Sequence, residues 1–193
     1  MTQATTRRAL LVRAESMALK AALVMGGSLL LWLSAKVQVP FWPVPMTLQT
    51  LAILGLAAVL GSRLGTAAVL AYIAQGAAGL PVFAGTPEKG IGLAYMMGPT
   101  GGYILGFVLA AFAVGWLAER GWARHPLKLF IAALLGVALI HAPGLLWLAQ
   151  FTGWEKVLAF GFWPFIGGDM LKAAIVALGV PAAWKLWRSG QRG

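Results

Sequence analysis

The chain has 193 residues, 60% of them hydrophobic and only 10% charged, with a mean hydropathy of +0.83; a soluble domain of this size has no means of hiding so much apolar surface. The formal net charge is +10, but the basic residues stand at the ends of apolar segments rather than in a stripe, which excludes a nucleic-acid footprint and marks them as topology signals. There is no cysteine, hence no disulfide framework and no thiolate metal site. The long Leu/Ala/Gly/Val runs do not alternate as β-barrel strands do, so the class is an all-α polytopic membrane protein.

In chain order, residues 1–13 form a polar arm carrying Arg7, Arg8 and Arg13, with no cleavable signal expected. A single membrane domain follows over 14–187, with six helices at about 14–36, 47–60, 64–78, 99–119, 128–149 and 166–187. The tail is 188–193. In the first segment Ala14, Ala18 and Ala22 make a small-residue ridge that permits close approach of another helix. Val37 to Met46 contains three prolines and reads as an apolar, aromatic loop. Thr47 is a candidate cap for the second segment, which carries Gln49 near its start. Gly61 to Gly65 reads as a tight turn, and the third segment carries Gln75 near its far end. Gly79 to Met97 is the longest break, and a loop of that length is usually functional. Gly98, Gly102 and Gly106 repeat every four residues where the fourth segment starts, a close-packing face. The fifth contains His141, read as a packed neutral side chain, and is expected to break at Pro143-Gly144. Phe162 to Lys172 opens the last segment and holds Asp169, the only aspartate in the chain. Lys172 lies three residues on, on the same helical face. An ionisable pair within a span is expensive and marks a functional site by default.

Six spans put both termini on one side. That side collects Arg7, Arg8, Arg13, Arg63, Arg120, Arg124, Lys128, Lys185, Arg188 and Arg192, whereas the other collects Lys36, Lys89 and Lys156. The imbalance places both termini in the cytoplasm. Asp169 and Lys172 then lie on the order of 5–10 Å inside the outer end of the last helix. Thr47, Gln49, Gln75, Thr100 and Tyr103 approach from the same side, under loops rich in aromatic residues. Polar groups do not continue to the inner face, which argues against a channel and for an outward-facing pocket. Aspartate accepts from N–H groups and an ammonium donates to a carbonyl, so the pair matches a urea- or amide-like head group. Phe41, Trp42, Phe83, Tyr95 or Trp163 can pack an apolar body. There is no G-x-x-x-x-G-K-[ST], H-E-x-x-H or G-x-S-x-G, no paired carboxylates, and no evident inverted repeat. The sequence describes a binder without an enzyme site that depends on other proteins for energy.

Four phrases, Val39–Gln49 (VPFWPVPMTLQ), Gly79–Gly85 (GLPVFAG), Gly98–Phe107 (GPTGGYILGF) and Gly168–Lys172 (GDMLK), together resemble the BioY family, the biotin-specific substrate-binding (S) components of energy-coupling-factor (ECF) transporters. The resemblance covers nearly the whole chain. It implies the six-helix S-component fold, a multi-pass protein of the cell membrane, and capture of biotin from outside. It also implies partnership with a membrane coupling (T) subunit and two cytoplasmic ATPases, with no cofactor on this chain. Asp169 and Lys172 match the family residues that hold the ureido ring. Phe83 and Ala84 match the loop over the ligand, and Tyr95 and Tyr103 match positions around the start of the fourth helix. Some members use an asparagine, but this chain has none, so a backbone group or Gln75 is expected to replace it. Gln49 completes the expected set. Lys89 or amides near Thr100 are the candidates for the valerate carboxylate. The ridge Ala14, Ala18 and Ala22 resembles the face that docks on the coupling subunit. The alternative reading is a solitary biotin facilitator or secondary carrier, working as an oligomer without ATPases.

Overall fold

Gly61 decides the topology of the first half of the molecule. In the computed structural model, which describes residues 17–39 and 42–190, helix α1 (Met17–Lys36) leads through a two-residue ribbon into the long helix α2 (Gln49–Ala77). The ribbon pairs β1 (Gln38–Val39) with β2 (Met46–Thr47) antiparallel, Gln38 opposite Thr47 and Val39 opposite Met46. The Thr47 hydroxyl oxygen accepts the Gln49 N–H at 3.2 Å, but the capping position falls on Leu48, which makes no side-chain cap bond, so the expected cap stands one residue early.

Two separate helices over 47–60 and 64–78 were expected, with a tight turn over Gly61 to Gly65. The structure narrows that turn to one residue. The stretch 49–77 is two helices that meet at a sharp kink, where Gly61 is non-helical, at φ 83° and ψ −177°. That conformation is open to glycine and closed to residues with a Cβ. The two arms nevertheless double back. The Gln49 amide donates to the Tyr72 hydroxyl at 2.9 Å, whereas 23 residues of straight helix would separate them by roughly 35 Å. A Cβ on Gly65 would sit 3.1 Å from Ala57 Cα, so the arms touch close to the turn. Glu119 seals the turn from the neighbouring helix. Its carboxylate accepts the Ser62 N–H at 2.8 Å and the Ser62 hydroxyl at 2.9 Å, a favourable place for negative charge at the start of the second arm.

After the loop over residues 78–92 come the short helix α3 (Leu93–Met96), α4 (Gly101–Glu119), a 3₁₀ turn (Trp122–Arg124), α5 (Pro126–Thr152), the short α6 (Val157–Gly161) and α7 (Trp163–Ser189). Counting the arms of α2 separately, the described residues form six long helical segments. The last begins three residues earlier than expected, with Pro164 in its first turn, a position that suits proline's fixed φ and missing donor.

The expected break at Pro143-Gly144 does not occur, and α5 runs through Pro143. Proline removes one helical hydrogen bond, but the neighbouring helix supports this stretch closely. A Cβ on Gly106 would lie 2.6 Å from Ile140 Cα, and one on Gly102 would collide with the Pro143 carbonyl. The glycine face of α4 therefore lays backbone against backbone, and Gly144 in turn makes room for the Tyr103 ring. Gly98, the first of the series, lies in the turn before α4, where its carbonyl accepts from Trp147 Nε1 at 2.8 Å.

Among the described residues, five helices are long and apolar enough to cross a membrane, with windowed hydropathies of 1.5 to 2.2. Leu31, Ile53, Leu54, Val69, Tyr72, Val114, Leu129 and Leu148 are buried between them, while Leu29, Leu70, Leu105, Phe112, Ile131 and Leu178 face outward. Apolar residues line both inside and outside because lipid is the solvent. Close packing at small residues, rather than water exclusion, then holds the helices together. α1 is the least buried, with 22% of its apolar window inside the protein. Ala18 and Ala22 are exposed on it, and Ala14 lies outside the described residues.

Candidate ligand chamber

Asp169 stands on the second turn of α7, where burial leaves it 2% exposed. One carboxylate oxygen, Oδ1, accepts from Lys172 Nζ at 2.9 Å, the i,i+3 contact expected of helical spacing. The other, Oδ2, faces His141 Nε2 of α5 at 3.6 Å. The imidazole is fixed by edge-to-face contacts with Tyr103, Phe162 and Phe165, and its Nδ1 is 3.0 Å from the Val137 carbonyl. Sequence reasoning assigned His141 to packing. The structure puts it beside the buried charge pair. Nothing in the sequence brings residues 141 and 169 together, because the contact depends on how α5 and α7 pack.

Around this pair lies a small polar chamber of about 40 Å³, room for about one water molecule. Thr47, Gln49 and Thr50 line it from the start of α2, Thr100 and Tyr103 from α4, and Val44, Pro45 and Ala84 from the loops. Beside it, sharing Thr47, Phe165 and Lys172, a groove of about 270 Å³ runs under the ribbon past Gln38, Val39 and Gly168. Lys172 thus stands between the small chamber and a roomier, largely apolar recess.

Five expected residues, Asp169, Lys172, Gln49, Ala84 and Tyr103, meet here. Two of them are already engaged: Gln49 holds Tyr72, and the Tyr103 hydroxyl donates to the Gly161 carbonyl at 2.9 Å. Phe83 and Tyr95 do not line the chamber. They form the layer behind it, stacked with ring centroids 4.8 Å apart, with Tyr72 edge-on to Phe83. Gly76 leaves the space that the Phe83 ring fills. Burial pushes the Tyr95 phenol above its ordinary range, with a hydrogen bond to Thr100 opposing, so Tyr95 is neutral packing at physiological pH. Gln75 points elsewhere. It accepts from the Ser28 hydroxyl at 2.8 Å, tying α1 to α2, and is not a chamber residue. Lys89 folds over Gly85 within its own loop and does not line the chamber.

Lys36, counted in the sequence only as a topology charge, closes the roof. Its ammonium donates to the Phe83 carbonyl at 3.1 Å and to the Thr86 hydroxyl at 3.1 Å, clasping the loop that carries Ala84. Lys36→Met is expected to loosen that loop and to speed ligand release several-fold, since Lys36 is exposed and solvent screening holds the worth of its contacts to about 1 kcal/mol. Stopped-flow dissociation measures it, and an unchanged off-rate would show that the clasp does not hold the closed state.

The model of the BioY family matches residues 3–189. The chain belongs to the BioY family. Among curated BioY proteins, it is 40% identical over 144 residues to the probable biotin transporter BioY of Pyrococcus horikoshii, covering 75% of this chain and 83% of that one. It is 39% identical to the biotin transporter BioY of Thermotoga maritima, covering 77% and 86%. Among solved structures, the S-component for biotin from an ECF-type ABC transporter superposes with a TM-score of 0.75 at 26% identity, covering 86% of this BioY chain and 90% of that one. The superposition covers most of both chains, so the two share the S-component fold.

Proposed function

We propose that this BioY protein captures biotin at the outer face of the cell membrane, as the substrate-binding subunit of an ATP-driven ECF transporter. The observation that carries the reading is Asp169 with Lys172, a desolvated charge pair at the wall of a chamber roofed by loops. Biotin's bicyclic head presents N–H donors and a urea carbonyl. The carboxylate takes a donor, the ammonium takes the carbonyl, and both bonds are charge-assisted. The apolar groove under the ribbon suits the valerate chain. Relatives named as biotin transporters and a biotin S-component with the same fold support the substrate.

A chamber of about 40 Å³ is the closed, collapsed form of such a site. Binding therefore requires the 42–48 ribbon turn and the 79–92 loop to part, with the Lys36 clasp as the element that recloses them. Titration calorimetry of the purified protein with biotin, thiamine and riboflavin tests the substrate. Heat with biotin alone is expected, and binding of another vitamin in its place would overturn the reading.

The lipid-facing Ala18 and Ala22 on α1 are the proposed docking face for the coupling subunit. Ala22→Trp is expected to leave biotin affinity unchanged and to abolish ATP-driven uptake in reconstituted vesicles. Full uptake by that variant would remove the docking assignment. Uptake by the wild type in cells lacking the ATPases would favour the solitary carrier instead.

A further inference from the structure

His141 has a donor and an acceptor end, and the structure tells them apart. Its Nδ1 lies 3.0 Å from the Val137 carbonyl, and a carbonyl can only accept, so Nδ1 carries the hydrogen. In the neutral ring that leaves Nε2 as a bare acceptor. The side chain is 4% exposed, and Nε2 has no hydrogen-bond partner among the described residues. The nearest charged oxygen, Asp169 Oδ2, is a second acceptor at 3.6 Å, beyond hydrogen-bond range. With the ring neutral, two buried acceptors face each other at the chamber wall, while Asp169 Oδ1 is held by Lys172. The three aromatic rings around the imidazole keep it from turning away. An unmet buried acceptor costs free energy, and a single donor placed between the two satisfies both as a three-centre bond, for which a 3.6 Å separation leaves room.

We infer that His141 is a ligand-contacting and specificity-determining residue, whose Nε2 forms with Asp169 Oδ2 a two-acceptor slot for one N–H of the bound head group. The inference rests on the biotin reading for the identity of the ligand, where one ureido N–H enters the slot and Lys172 takes the urea carbonyl. The slot selects against a head group that presents oxygen in place of that N–H, because three acceptors would then face one another.

Two measurements test it. The first compares biotin with the two cyclic-carbamate analogues in which one or the other ureido N–H is replaced by a ring oxygen, in wild type, His141→Phe and His141→Gln. Wild type is expected to reject one of the two carbamates strongly. In His141→Phe that discrimination falls about ten-fold, the value of one lost hydrogen bond in a desolvated site. In His141→Gln, whose amide oxygen restores an acceptor, it recovers in part. Equal loss of affinity for all three ligands in His141→Phe, or no change, overturns the proposal. The second measurement needs neither variant. In side-chain nitrogen NMR of the His125→Asn protein, which leaves His141 as the sole histidine, Nε2 is expected to resonate as an unprotonated imine nitrogen without ligand and to move on adding biotin. An imidazolium signal in the ligand-free protein contradicts the slot. If wild type binds no biotin at all, the substrate reading fails, while the ligand-free spectrum still decides whether Nε2 is a bare acceptor.

Discussion

Lys172→Met is expected to destabilise the folded protein by about 3–5 kcal/mol and to abolish tight biotin binding. Methionine keeps most of the apolar stem, so the packing along α7 changes little and the effect isolates the ammonium. Asp169, 2% exposed, then faces His141 and aromatic rings with no cation to offset its desolvation. The loss of affinity follows from the same atoms, because the donor proposed to meet the urea carbonyl is gone. Thermal unfolding of the purified variant in micelles, with and without biotin, separates the two effects: a lowered midpoint without ligand and no upward shift with it. A variant as stable as wild type would show that the pair is solvated in the membrane, contrary to the buried geometry.

The second large effect concerns the fold rather than the ligand. Gly106→Val is expected to separate α4 from α5 and to cost at least the 1–3 kcal/mol of an overpacked core. A Cβ at 106 would fall 2.6 Å from Ile140 Cα and 2.7 Å from its carbonyl oxygen, and backbone cannot swing aside as a side chain does. The displaced helix carries His141 one residue further on, so biotin binding should weaken together with stability. Gly55→Val makes the control, because a Cβ there meets nothing within 4 Å. Detergent-solubilised yield and melting temperature measure both. Equal behaviour of the two variants would mean that the glycine face of α4 is incidental.

The sequence showed most of the architecture through signals that are local. Apolar runs of spanning length, charge asymmetry at the breaks and glycines at four-residue spacing each report on one segment or one pair. Asp169 and Lys172 were legible for the same reason, since helical periodicity alone puts them on one face. Phe83 and Tyr95 were assigned to the ligand because they match family positions around it, and Gln75 as a replacement for the family's asparagine. That criterion does not distinguish a lining residue from the layer behind it. Gln75 satisfies Ser28 and Phe83 fills the space over Gly76, pairings that exist only after the bundle forms. His141 and Lys36 were missed because both act across long sequence separations, through Asp169 and through the carbonyls of the 83–86 loop. Gly61 shows a further limit. Its neighbours read as a tight turn over Gly61 to Gly65, but one positive-φ glycine, with Gly115 leaving room for it and Glu119 capping Ser62, reverses the chain in a single step.

The central claim is that the α7 carboxylate holds the head group of biotin, and equilibrium binding of biotin to the purified wild type beside Asp169→Asn tests it most directly. Asparagine keeps the shape and removes the charge. Losing a charged partner in a desolvated site is expected to weaken binding by about 2–5 kcal/mol, roughly 30-fold to several thousand-fold. Wild-type affinity in Asp169→Asn, with the protein folded and the binding stoichiometric, would place the ligand elsewhere and contradict the account.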